Sequence, residues 1–163
     1  MTRNKCEDHY IRLNKACREV LQTSFANDSN GRQAKAHSFI QDLNAWSKIL
    51  TIRSEGEIFL RSIHSYQFSL LSLVQGEYRH SLMALRLTLE LSLLSVYLSA
   101  HEKKLREWVA GEETIWWKDI TDKKNGLLSE SFCRAFNEPL SDYVLEQRSL
   151  ARKTYSECSQ YIH

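Results

Sequence analysis

The longest apolar run in the sequence, "GEYRHSLMALRLTLELSLLSVYLS", spans Gly76 to Ser99 and leaves few folds open. On a helical wheel Tyr78, Leu82, Leu85, Leu89, Leu93 and Val96 form one stripe, while Ala84, Leu87, Leu91 and Leu98 form a second on the opposite side. A helix apolar on both sides is expected to be surrounded by other elements. The run is about as long as a membrane span, but Arg86 and Glu90 sit near its middle, where each would be costly in lipid. A soluble, cytoplasmic protein with no membrane partner is expected.

Arg86 and Glu90 lie four residues apart, neighbours on a helix surface, with leucines on either side of each. An unpaired charge costs several kcal/mol to bury, so the fold must supply partners for both. One reading is a structural ion pair that fixes how a helical bundle packs; the other is a polar site in the bundle core, completed by another helix. If the pair is buried, losing one charge would cost about 3 to 5 kcal/mol, whereas replacing both by apolar residues would cost much less.

Five Gly and one Pro in 163 residues favour helices with short polar connections, and the length suits one domain. The expectation is an all-α bundle of five or six helices forming a single domain, residues 1–163. A net charge of +2 does not by itself point to nucleic acid. The N-terminus "MTRNKCEDHYIR" has no signal-peptide core. Cys6, Cys17, Cys133 and Cys158 show no CxxC and no zinc-finger histidine, so reduced thiols and no metal are expected. Phosphate loops, GxSxG and HExxH are absent, and no cofactor is expected.

In chain order, Tyr10, Leu13, Cys17, Val20 and Leu21 predict an amphipathic helix from Arg3 to Phe25, closed by the turn formers "NDSNG". A second runs from about Gln33 to Leu50 with Phe39, Leu43, Trp46 and Leu50 on one face. Ser54 and Glu57 resemble a capping box opening a third helix, which stops at Gly76. An antiparallel pair about Gly76 is preferred to one long helix, and the central helix is expected to run on to Trp108. Trp116 and Trp117 either cap the bundle core or form a partner patch. A short helix from Ser129 to Asn137 and a last helix capped by Ser141 complete the chain. The last helix carries a core stripe of Leu140, Val144, Ala151, Cys158 and Ile162. Beside it lies a polar row, Arg148, Arg152, Tyr155, Ser159 and His163. The chain ends inside this helical pattern, which leaves open whether it is whole or a piece of a longer protein.

The string around Arg86 and Glu90, Trp108 with Gly111 in "WVAG", and the closing "RKTYSECSQYIH" with Tyr155, Ser159 and His163 together resemble the HEPN superfamily of helical bundles over about residues 54–163. The resemblance implies a HEPN-like fold and work in bacterial anti-phage defence or toxin–antitoxin assemblies, as a homodimer or a subunit of a larger complex. Members that cleave RNA carry Arg-x4-6-His on a late helix, and here Arg152 and His163 have ten residues between them. Arg3 with His9 and Arg32 with His37 match that spacing, but both lie early in the chain, and about one match is expected by chance. The preferred expectation is a binding or assembly subunit without canonical catalysis, in which Arg86, Glu90, Arg148, Tyr155 and Ser159 form a packing network or contact RNA. The alternative is a metal-independent endoribonuclease in which His163 moves a proton, Arg152 or Arg148 steadies charge on the phosphate, and Tyr155 and Ser159 orient the substrate.

Overall fold

The computed structural model describes residues 4–161, all of whose regular structure is helical. Eight α-helices follow in order: α1 Lys5–Ala26, α2 Arg32–Leu50, α3 Gly56–Val74, α4 Tyr78–Ser99, α5 Glu102–Val109, α6 Trp117–Ile120, α7 Glu130–Phe136 and α8 Val144–Gln160. A 3-10 segment, Glu138–Tyr143, joins α7 to α8. The number exceeds the expected five or six because the stretch after Ser99 breaks into short turns of helix.

The centre is the antiparallel hairpin of α3 and α4, turned at Gly76, whose φ of +82° only glycine adopts without strain. The preferred pair about Gly76 is therefore the arrangement found. Where the two helices meet, the buried side chains are small: Ser62, Ser69 and Ser72 from α3, and Ser81, Ala84, Thr88 and Ser95 from α4. Their hydroxyls are satisfied locally, Ser62 on the Phe59 carbonyl and Thr88 on the Ala84 carbonyl, while Ser69 donates across the hairpin to the Ser81 carbonyl at 2.9 Å. Small residues let the backbones approach closely, so the leucines are displaced to the flanks. Leu82, Leu85, Leu89, Leu91 and Leu93 are half-buried, and Met83, Leu87 and Val96 are exposed. The expected double leucine core of this helix is thus corrected: of its two stripes only Ala84 and Leu98 are buried, and along most of its length the helix buries a hydroxyl-rich seam with leucine shoulders.

A second correction concerns its length. α4 ends at Ser99 rather than running to Trp108, because the His101 imidazole donates from Nδ1 to the Tyr97 carbonyl at 2.7 Å. That carbonyl is the acceptor a continuing helix would give to the His101 amide, which turns to Leu98 instead. The redirected α5 delivers Leu105, 3% exposed, to the main core.

That core joins Ile58, Leu94, Tyr97, Leu98 and Leu105 with Ile120, Leu127, Leu128, Cys133, Val144 and Ala151, so α4 is packed by α3 on one side and by α6 and α8 on another. A smaller cluster of Leu43, Phe59 and Ile63 ties α2 to α3. α1 buries nothing. Tyr10, Leu13 and Val20 of its stripe are exposed, and the helix is fastened near its end, where Ser24 donates to the Val74 carbonyl.

Two helix starts also differ from expectation and a third agrees with it. Ser54 caps nothing: α3 begins after Glu55, which is buried and paired with Arg53, while Glu57 bonds Arg61. Ser141 lies inside the 3-10 segment opened by Pro139, Leu140 is exposed, and α8 starts at Val144 without a side-chain cap. Ser129 does cap α7, accepting from the Phe132 amide. Cys133 and Cys158 are buried thiols, whereas Cys6 is exposed and Cys17 half-buried. Ile162 and His163 of the last helix, and Arg3 of the first, lie outside the described residues.

Candidate functional site

The charged pair of α4, Arg86 and Glu90, lies toward α8. Arg86 and Glu90 are one turn apart, and Arg86 Nε donates to Glu90 Oε1 at 3.2 Å. The Arg86 fork reaches further, donating from Nη2 to the Tyr155 hydroxyl, with its guanidinium carbon 4.4 Å from the centre of that ring. Trp117 of α6 stacks on Tyr155, centroids 4.3 Å apart and planes within 8°. Three helices therefore converge on one phenol: α4 through a cation, α6 through an aromatic face, and α8 as its own support.

The side chains of Arg86 and Glu90 keep 30% and 32% of their exposure. The pair is half-buried, and the full cost of a buried charge does not apply to it. Burial pushes the Tyr155 hydroxyl above the ordinary tyrosine range, the Glu90 carboxylate adds to this, and Arg86 opposes it. The Cys158 thiol, one turn along, is raised chiefly by burial, then by Glu157, with Arg86 again opposing. Tyr155 and Cys158 are held neutral, the forms suited to packing rather than to attack.

The rest of the α8 row is used differently. Arg148 Nη1 donates to the Leu128 carbonyl at 3.3 Å and Arg152 Nη2 to the Thr121 carbonyl at 3.4 Å, so both tie α8 to the loop between α6 and α7. Ser159 bonds back to the Tyr155 carbonyl at 2.7 Å, a contact within its own helix. The structure thus brings Arg86, Glu90 and Tyr155 together, leaves Arg148, Arg152 and Ser159 on main-chain carbonyls, and does not describe His163. Of the remaining motif residues, Trp108 packs against the core and Gly111 closes α5.

Trp117 is the member that sequence reasoning did not place. It opens a helix of four residues, too short for periodicity to assign it a face, and Trp116 beside it points outward, 60% exposed. Also unforeseen is Lys104, which donates to the Tyr97 hydroxyl at 3.0 Å; that bond, and after it burial acting in the opposite sense, leaves its ammonium raised above the usual lysine range. Among the described residues no group of three or more His, Cys, Asp or Glu is arranged to hold a metal ion.

Fold and site together define an all-helical protein in which α4, α6 and α8 converge on a half-buried Arg–Glu–Tyr–Trp cluster. No protein-family model, curated protein or solved structure matches the chain.

Proposed function

We propose that the protein is a HEPN-like helical binding and assembly subunit, cytoplasmic, of the kind used in bacterial anti-phage defence or toxin–antitoxin systems, and that it acts through its surfaces rather than by canonical catalysis. The observation that carries this reading is the apolar surface outside the core. Tyr10, Ile11 and Leu13 of α1 and Trp46 and Ile49 of α2 are exposed, and Phe39, Trp46, Ile49 and Phe59 line an open cavity of about 670 Å³ where α2 crosses α3 and α4. Apolar exposure on this scale suits a chain that meets a second copy or another subunit. The use of Arg148 and Arg152 as main-chain ties is in keeping with a structural α8.

Light scattering at micromolar concentration tests the assembly reading, with Trp46→Glu as the variant: a homodimer or hetero-complex that Trp46→Glu dissociates is expected. A monomer that recovers no partner from cells overturns it. Incubation with total RNA, beside His163→Ala, tests the absence of catalysis. Cleavage that disappears in His163→Ala would establish a ribonuclease instead.

A further inference from the structure

The loop between α6 and α7 forms a cavity of about 540 Å³ with α7 and α8, lined by Lys123, Lys124, Glu130, Ser131, Arg134 and Arg148. Four cations face one carboxylate, and that carboxylate is already shared with Arg134 at 3.5 Å. Lys123, Lys124 and Arg148 make no ion pair among the described residues. Like charges gathered around one concavity repel one another, and an anion placed among them relieves that repulsion.

The cavity's wall is a fixed element. The Asp122 carboxylate accepts from the amides of Lys124 and Asn125 at 2.9 and 2.8 Å, and these bonds hold it below the usual carboxylate range even though it is exposed. The Ser131 hydroxyl donates to the Lys124 carbonyl at 2.6 Å, so both main-chain polar groups of Lys124 are pinned. Gly126 seats the loop so tightly that a Cβ there would lie 2.5 Å from the Asp122 amide nitrogen and the Ile120 oxygen. Across the cavity, Arg148 is half-buried with one nitrogen on the Leu128 carbonyl, which fixes the direction of its fork. Asp122 stays an anion that shapes the loop from behind the lysines and is coupled to Lys124, and with Glu130 it leaves the four cations of the cavity in excess by two charges.

We propose that this pocket binds a phosphate group carried on a larger ligand. The excess of cations suits a dianion or a run of phosphates better than a single carboxylate, and a guanidinium fork fits phosphate oxygens with two parallel bonds. The cavity is open to solvent, which leaves room for the rest of a nucleotide-sized ester or of a polynucleotide backbone beside the phosphate. Residues of the assembly surface take no part, and the site stands or falls independently of it.

The test follows amide resonances of Lys124, Asn125 and Ser131 while the full chain is titrated with inorganic pyrophosphate, with AMP and with a short oligouridylate, at constant ionic strength. Saturable shifts at these residues are expected, and Lys123→Gln with Lys124→Gln should weaken binding by about tenfold or more. Both lysines are exposed, so this variant folds even if Arg148→Gln, which frees the Leu128 carbonyl, does not. Response to AMP assigns a free phosphate ester, whereas response to pyrophosphate alone marks a site for an inorganic anion and overturns the larger ligand. Response to oligouridylate alone, steeply weakened by salt, assigns a phosphodiester backbone. No shift with any of the three, or equal affinity in the double lysine variant, overturns the proposal.

Discussion

α1 and α8 are long amphipathic helices of similar pattern, yet one buries nothing and the other buries Val144, Ala151 and Cys158. The difference does not lie in the stripe. α8 meets a surface already shaped for it: the leucine shoulder of α4, the Ile120 to Leu128 loop and the Arg86 fork. α1 meets the far end of α3, through Ser24 and the Val20 side chain near Gly76, and the start of α2, whose Gln33 side chain donates to the Ser24 carbonyl at 3.0 Å. An apolar stripe states that a helix can be buried; the complementary face on another element decides whether it is.

Hydrogen exchange tests this contrast over the widest range. Amides in the first half of α1 should exchange about a hundredfold or more faster than those of α4, since local opening there breaks almost no buried contact. Equal protection in both would erase the contrast and show that α1 is covered in solution. The next effect is on stability. Val144→Ala, at a site 1% exposed, should cost about 2 kcal/mol in urea denaturation, while Leu13→Ala, half exposed, should stay within about 0.5 kcal/mol.

The α4–α8 contact can then be divided. Arg86→Met leaves Glu90 and Tyr155 without their donor, and Glu90→Leu leaves Arg86 on the phenol alone. Because a third of each charged side chain faces water, the expected single losses are about 1 kcal/mol, with a coupling of similar size in the double variant. Strict additivity would show that Tyr155, and not the ion pair, holds α8. The smallest effect is with pH. Below about pH 10 Tyr155 is neutral folded or unfolded, and its contribution is complete. Above that the unfolded chain ionises first, so stability falls until the raised folded value is passed. Tyr155→Phe should flatten part of that alkaline loss; Tyr66, raised by burial alone, supplies another part.

Much of the helical outline was legible because it depends on neighbours in sequence: "NDSNG" closing α1, Ser129 capping α7 and Gly76 turning the hairpin. Arg86 and Tyr155 were also within reach, since each lies on a regular helix whose period fixes its face. What periodicity could not supply was which of two possible faces of α4 would be buried. Leucine content pointed to the flanks, whereas the close approach to α3 selected the serines. His101 stopping α4, Glu55 pairing with Arg53, and Trp117 meeting Tyr155 each depend on a fold already formed.

The serine seam between α3 and α4 has a consequence for how this hairpin could change over generations. Interlocking bulky side chains index two helices against each other, but a smooth strip of small ones allows neighbouring alignments of nearly equal quality. Here the index mark is the hydroxyl of Ser69, bonded to the Ser81 carbonyl and 3.3 Å from the Ser81 hydroxyl. With that mark lost, the alignment is still held at both ends of α4, by the short turn at Gly76, where the Glu77 amide bonds the Ser72 carbonyl at 2.8 Å, and by Leu94, Tyr97 and Leu98 in the main core. The middle of the seam is therefore free to exchange one small residue for another over generations, while the ends of α4 keep Arg86 on Tyr155.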